Sequence, residues 1–253
     1  MQLLQSIAKR ALRTSFVPRI NSHALMSTVI LDQVQEAQLT PLLREQCILV
    51  NELDQIIGAA SKLDCHKWDA VTKSSPLHRA FSIFLFNTQG ELLLQQRSSQ
   101  KVTFPGHFTN SCCSHPLSLE VEKNGVEGAM VAARRRLEFE LGIAHDQVSL
   151  DEFQYLTRIW YNGRVDGSQF AEHEIDYIFV LQKDLELKPN PDEVQRVEYV
   201  SQKRFNDFMM GLKKNDVPTT PWFNLICRNF LPVWWKNLSS LSDFKDHERI
   251  HKL

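Results

Sequence analysis

Apolar positions along this chain change period several times, and each change predicts an element. Residues 126–141, VEGAMVAARRRLEFEL, put Met130, Ala133, Leu137 and Leu141 on one helical face, with Gly142 where a helix should stop. HRAFSIFLFN and ELLLQQR flank TQG and predict a hairpin of two apolar strands around a glycine turn. CILVN and IIGAAS flank ELDQ and predict another. FQYLTRIWY, EIDYIFVLQ and RVEYV have strand character, and VTFPGHFTNSCC is interrupted by Pro105-Gly106. Residues 31–46 form a polar helical lead-in, a helix is expected near 201–213, and PWFNLICRNFLPVWW opens with proline at a helix-starting position. Strands and helices interleave without a repeat or a low-complexity linker. The pattern predicts one mixed α/β domain over 31–253 with a helical C-terminal extension.

The first thirty residues stand apart. They carry Lys9, Arg10, Arg13 and Arg19, and the first acidic residue is Asp32. Leu3, Leu4, Ile7, Leu12 and Phe16 recur at roughly helical spacing, so 1–30 has the character of a mitochondrial presequence or a basic tail. The last residues, His251-Lys252-Leu253, resemble a peroxisomal address. Mitochondrial and/or peroxisomal location is therefore expected, or cytoplasmic if translation starts at Met26 and the C-terminal signal is inactive.

Composition narrows the chemistry. The chain has 253 residues, 43% hydrophobic and 23% charged, with a net charge of −1, so no global field attracts nucleic acid or anionic membrane. No apolar run reaches the roughly 18 residues of a spanning helix. Five cysteines without a framework or a CxxC pair point to a reducing compartment and away from a thiolate zinc site. Two of them adjoin in TNSCCSHPL, where Cys112 and Cys113 could be a strained disulfide, a metal site, a nucleophile, an acid or core packing.

Histidines and carboxylates with metal-ligand chemistry occur as His66, His78, His115, Glu172 and Glu174. The two glutamates are two apart on a predicted strand and share a face. Such a set suits a borderline divalent cation such as Zn²⁺ or Mn²⁺, although each histidine alone could be a surface or capping residue. Arg136 and Glu140 share a helix face, as an ordinary ion pair or as a phosphate contact beside a Mg²⁺ ligand. Arg97, Lys101 and Lys62 could receive a diphosphate, or line a solvated basic surface.

Together, CHKW…LHRAFSIFLFN, LLLQQRSSQKVTFPGHFTNSCCSHP, RRRLEFELGI, YLTRIWY, EHEIDYI and TPWF resemble the type 1 isopentenyl-diphosphate Δ-isomerases, a Nudix-fold family. The resemblance runs from about 47 to 235. It implies an α/β (α+β) fold, a Nudix-like mixed sheet sandwiched between helices, and an enzyme that interconverts isopentenyl and dimethylallyl diphosphate by protonating and deprotonating the alkene. It implies Cys113, Glu174 and Tyr161 as catalytic residues, with Cys112 turned into the core. Lys62, Arg97, Lys101 and Arg136 would face the diphosphate, and Trp222 the prenyl carbons. His66, His78, His115, Glu172 and Glu174 would hold a first metal (Zn²⁺, Mn²⁺ or Mg²⁺). Glu140 and the Cys113 carbonyl would hold a Mg²⁺ that accompanies the diphosphate. A monomer is expected.

The hydrolase box of the wider family reads Gx5Ex7REUxEExGU, with U aliphatic. Aligned on Gly142, Arg135 keeps the arginine, Arg136 and Phe139 replace two carboxylates, and Glu140 keeps the third. Losing that charge disfavours a pyrophosphohydrolase, the first alternative. A non-catalytic prenyl-diphosphate-binding protein is the second. The acidic loop 117–127 carries no assigned role, and Glu127 is expected to be a solvated charge.

Overall fold

The computed structural model describes residues 36–253; the presequence-like segment 1–30 lies outside them. The elements in order are α1 (Glu36–Arg44), β1 (Gln46–Val50), β2 (Ile56–Ser61), α2 (Lys62–His66), β3 (His78–Phe86), β4 (Leu92–Arg97), β5 (Phe108–Thr109), β6 (Cys112–Ser114), α3 (Gly125–Leu141), β7 (Gln154–Arg164), β8 (Ala171–Gln182), β9 (Val194–Val200), α4 (Gln202–Lys214), α5 (Pro221–Asn229), α6 (Leu231–Lys236) and β10 (Ile250–Lys252). Among the described residues, no helix is long and apolar enough to cross a membrane.

One mixed sheet organises these strands, with the backbone order β10-β7-β8-β3-β1-β2. β3 and β8 run parallel from His78↔Glu174 to Phe86↔Gln182, while β7 and β8 are antiparallel. β3 is buried along its whole length because it lies centrally, which explains its nearly unbroken apolar sequence. Alternation sorts its side chains. Phe81, Ile83 and Leu85 join a core against Ala129, Ala133, Leu137 and Leu141 of α3. Phe84 and Phe86 join a second core against Trp222, Phe223, Ile226, Trp234 and Trp235 of α5 and α6. Helices thus cover both faces, as expected.

The TQG hairpin is only partly realised. Gly90 turns the chain at φ 75°, but β3 and β4 pair at Phe86↔Leu92 alone. β4 then leaves to pair with β9 from Leu92↔Val200 to Arg97↔Val194. The edge of β3 that it vacates takes β6, with Ser82↔Cys113 and Ile83↔Cys112. Ser111 stitches the fork: its hydroxyl donates to the Leu93 carbonyl at 2.6 Å and accepts from the Leu85 amide at 2.7 Å. Two apolar runs around a turn predict adjacency, but not where the strands splay. The expected ELDQ hairpin forms fully as β1–β2. The single apolar run at 221–235 is two helices, α5 and α6, broken at Phe230 before Pro232.

α3 ends as anticipated. Gly142 adopts φ 65°, its amide donates to the Glu138 carbonyl, and the Ile143 amide bonds the Leu137 carbonyl. A Cβ there would lie 2.4 Å from the Lys188 carbonyl oxygen. At the other end of the helix a Cβ on Gly128 would meet the Glu122 carbonyl oxygen at 2.3 Å, so α3 and the acidic loop approach to a distance only glycine permits.

His251-Lys252-Leu253 are built into the sheet. Ile250, His251 and Lys252 pair in parallel with Arg158, Ile159 and Trp160, and the Leu253 amide donates to the Trp160 carbonyl. Gly142→Ala is expected to destabilise the protein by about 2–4 kcal/mol, combining the left-handed backbone with the Lys188 clash. Urea midpoints of purified wild-type and variant protein would check this, and a shift equivalent to less than about 0.5 kcal/mol would contradict it.

Candidate active site

Strand register assembles the site. His78 on β3 and Tyr161 on β7 both pair with Glu174 on β8, from opposite sides. Two residues away, Glu172 shares that face. The intervening His173 turns the other way, to Trp160 Nε1 and the Ser75 carbonyl. α2 brings His66: Ser61 caps this short helix by accepting from the Asp64 amide, and Lys62 and His66 sit one turn apart. β6 ends at Ser114, so His115 follows it directly.

The three imidazoles pack as a triangle with ring centroids 4.8–4.9 Å apart. Glu172 Oε2 lies 2.8 Å from His66 Nε2, and Glu174 Oε1 lies 2.7 Å from His115 Nε2 and 3.6 Å from His78 Nε2. Tyr161 donates a hydrogen bond to the other Glu174 oxygen. One potential ligand atom from each of His66, His78, His115, Glu172 and Glu174 falls within 4.8 Å of the others, and all five residues are buried. His66 Nδ1 faces the Lys62 carbonyl at 2.6 Å and His78 Nδ1 the Pro76 carbonyl at 2.8 Å, which leaves both Nε2 atoms turned inward. His78 Nε2 is buried without a hydrogen-bond partner, and buried Glu172 Oε2 has the His66 imidazole beside it but no well-aligned hydrogen bond. Converging imidazoles, carboxylates and orphaned polar atoms fit a divalent cation.

Protonation follows from these neighbours. Burial opposes charge on His78, but the Glu174 carboxylate, 3.6 Å from its Nε2, overrides it and raises the imidazole to about 9. Burial, with His66 and His78 nearby, pushes His115 well down. Glu174 is buried, which favours its acid form, yet His78 holds it below the usual carboxyl range. Tyr161 is pushed well up by burial and by Glu174.

Cys113 and Cys112 part as expected. Cys112 is fully buried in the α3-side core, while Cys113 is half-buried and lines the cleft. Burial pushes the Cys113 thiol up to about 12, opposed by Arg97, so neutral pH finds it protonated. Among the described residues no cysteine forms a disulfide.

One open cleft unites these groups. Its lining includes His66, His115, Glu172, Glu174, Tyr161, Cys113 and Trp222, and the basic Lys62, Arg97, Lys101 and Arg136. Cys113 and Glu174 therefore face the same space. His78 lies behind the surface of the cleft at 0% exposure. Glu140 stands apart from the five-residue cluster: Arg136 holds its Oε1 at 2.6 Å and Gln95 donates to its Oε2 at 3.1 Å.

Several positioning groups had no signal in the sequence. Asn110 accepts from Trp222 Nε1 at 3.0 Å and donates to the Ile83 and Cys112 carbonyls, which fixes the indole and the peptide before Cys113 together. Arg97 is held by the Thr103 and Phe104 carbonyls, and Phe104 itself sits at φ 49° with its ring edge-on to Trp222. Loop 117–127 braces the fold. Buried Glu122 accepts two bonds from Arg135, at 2.7 and 2.9 Å, and one from the Leu117 amide. Arg135 also reaches the His115 carbonyl at 3.3 Å. Glu127 is exposed, in keeping with a solvated charge.

A NUDIX-domain family model matches residues 76–223, and this places the chain's class. A solved structure of DR0079 from Deinococcus radiodurans has the same fold, with a TM-score of 0.50 at 22% identity over 74% of this chain and 99% of that one. Isopentenyl-diphosphate Delta-isomerase 1 of Mus musculus is 50% identical over 84% of this chain and 93% of the mouse protein. An isopentenyl-diphosphate delta-isomerase of Candida albicans is 41% identical over 95% and 90%, and Isopentenyl-diphosphate Delta-isomerase II of Clarkia breweri 40% over 92% and 85%. The chain belongs to the isopentenyl-diphosphate Delta-isomerase family.

A metal ligand must be an unprotonated imidazole, whereas His78 near 9 is protonated at pH 7 in the metal-free protein. Binding of a divalent cation is therefore expected to release about one proton at pH 7, and affinity should rise with pH up to about 9. Calorimetry in buffers of different ionisation enthalpy measures that proton; release near zero would contradict the His78 assignment.

Proposed function

We infer that this chain is an isomerase that interconverts isopentenyl and dimethylallyl diphosphate, with residues 31–253 acting as one catalytic domain. The supporting observation is that Cys113 and the Glu174–Tyr161 pair line one cleft beside Trp222 and a set of basic side chains. Moving the double bond requires one proton added and another removed, and so needs two proton-exchanging groups on the same alkene. Cys113 offers a thiol proton, and Glu174 with Tyr161 offers the second proton site. Addition of the proton makes a tertiary carbocation. The Trp222 ring, 3% exposed and edge-on to Phe104, gives that cation an aromatic face in a dry wall.

Lys62, Arg97, Lys101 and Arg136 bind the diphosphate and hold the alkene in register with the two proton sites. Arg136 stands where the hydrolase box has a glutamate, and exposed Phe139 lies against its guanidinium at 4.6 Å. Positive charge at that position attracts phosphate oxygens, in place of a carboxylate that would help bind a metal for their cleavage. His66, His78, His115, Glu172 and Glu174 would hold one divalent cation (Zn²⁺, Mn²⁺ or Mg²⁺). Glu140 and the Cys113 carbonyl would hold a Mg²⁺ that arrives with the diphosphate. Bound cations supply positive charge that favours the ionised carboxyl and neutralises the diphosphate. We propose that the protein acts as a monomer and is sent to mitochondria and/or peroxisomes. Fluorescent fusions at each terminus, with and without residues 1–25, test the location; diffuse signal from both full-length fusions would refute it.

Incubation with isopentenyl diphosphate and Mg²⁺ in deuterated water should yield deuterated dimethylallyl diphosphate and no free phosphate. Phosphate release would indicate a hydrolase, and neither product a binding protein. Cys113→Ala should lose about 10²–10⁴-fold in kcat, the usual worth of a positioned acid or base. Cys112→Ala should keep most turnover; equal losses would show that the wrong thiol was chosen.

A further inference from the structure

The cations of the cleft are accompanied by carboxylates. Lys62 pairs with Glu45 at 3.3 Å and Arg136 with Glu140 at 2.6 Å. Glu193 serves more partners than either. Its Oε2 accepts from Lys101 Nζ at 2.6 Å and from Arg136 Nη2 at 2.9 Å, while its Oε1 accepts from Gln38 Nε2 at 2.8 Å. It lines the cleft and is 5% exposed. Its backbone is fixed as well: the Glu193 amide donates to the Asn190 carbonyl, and its carbonyl accepts from the amide of Ser98, next to Arg97.

A carboxylate inside an anion site repels the anion, so its presence needs a reason. The donor count supplies one. Lys101 has three N–H donors and gives one to Glu193, while Arg136 directs Nε and Nη2 to Glu140 and Glu193 and keeps both Nη1 protons. Two cations crowded in a buried cleft would otherwise repel each other and lose their ordered geometry. Burial already draws the Lys101 ammonium toward its neutral form, Arg97, Arg136 and Lys62 push the same way, and Glu193 opposes them.

We propose that Glu193 is a positioning residue of the diphosphate subsite, a shared counter-ion that sets Lys101 and Arg136 side by side with their remaining donors free for substrate. The proposal rests on the isomerase reading of the cleft. Glu193 touches no reacting carbon, so its removal acts on binding and not on proton transfer.

Glu193→Gln keeps the shape and removes the charge. The KM for isopentenyl diphosphate is expected to rise about tenfold, with kcat changed less than about threefold. Calorimetric affinity for inorganic diphosphate with Mg²⁺ should weaken in parallel. Glu193→Asp keeps the charge on a shorter arm that cannot span both cations, and its KM should fall between. Combined with Lys101→Ala, the loss should fall short of the product of the single losses by about threefold or more, because the two residues act as a unit. Unchanged or tighter diphosphate binding by folded Glu193→Gln protein overturns the proposal, and so do fully multiplicative losses. Should Glu193→Gln fail to fold, Glu193→Asp decides by the same two measurements, and wild-type affinity in it overturns the proposal. Wild-type protein that binds inorganic diphosphate but forms no dimethylallyl product would sink the isomerase reading instead, and the diphosphate titrations would still judge Glu193.

Discussion

A carboxylate with almost no water around it must be enclosed by groups that favour its charge, and Glu174 is where this fold meets that demand. Glu174 is 5% exposed; His115 and His78 approach one oxygen and Tyr161 donates to the other. Leaving such a charge unpaired costs several kcal/mol. Two of its partners arrive by backbone pairing, since β3, β8 and β7 are neighbours and place His78, Glu174 and Tyr161 in one row, and His115 comes from the end of β6. Sheet register and site chemistry are thus a single constraint.

The cleft is divided by polarity. Around Trp222 the neighbours are the rings of Phe104 and Tyr161, with Asn110 satisfying the only polar atom of the indole. Across from it the guanidinium and ammonium groups are braced by carbonyls and carboxylates. Arg97 links the two regions: its guanidinium lies 5.7 Å from the Trp222 ring and donates weakly to Cys113 Sγ at 3.9 Å. A substrate with a charged head and a short hydrocarbon tail matches that division.

How much of this could be read beforehand depends on whether a feature is local. The face of α3, its stop at Gly142, and the shared face of Glu172 and Glu174 are consequences of period, and the sequence displays them directly. The candidate metal ligands carry only weak separate signals in the sequence beside the family resemblance, and the structure brings His66, His78, His115, Glu172 and Glu174 together. Glu193, Glu122 and Asn110 were invisible. Each acts through a partner away from it along the chain: Glu193 meets Gln38 and Lys101, Glu122 meets Arg135, and Asn110 meets Trp222. An Asn or Glu in a loop has the same appearance whether it is solvated or buried. The fork between β3 and β4 was hidden for a similar reason, since a turn fixes adjacency at its tip and tertiary pairing decides the rest.

The two adjoining cysteines have an odd effect on misfolding. If β6 slid one position along β3, Cys112 would take the place of its twin, and the cavity would still present a sulfhydryl. Reagents that report thiol accessibility would barely distinguish the slipped chain from the correct one. Ser114 would then stand in for His115, however, and the buried acid would lose an imidazole. The ring, and not the sulfur, is what polices the alignment of this strand.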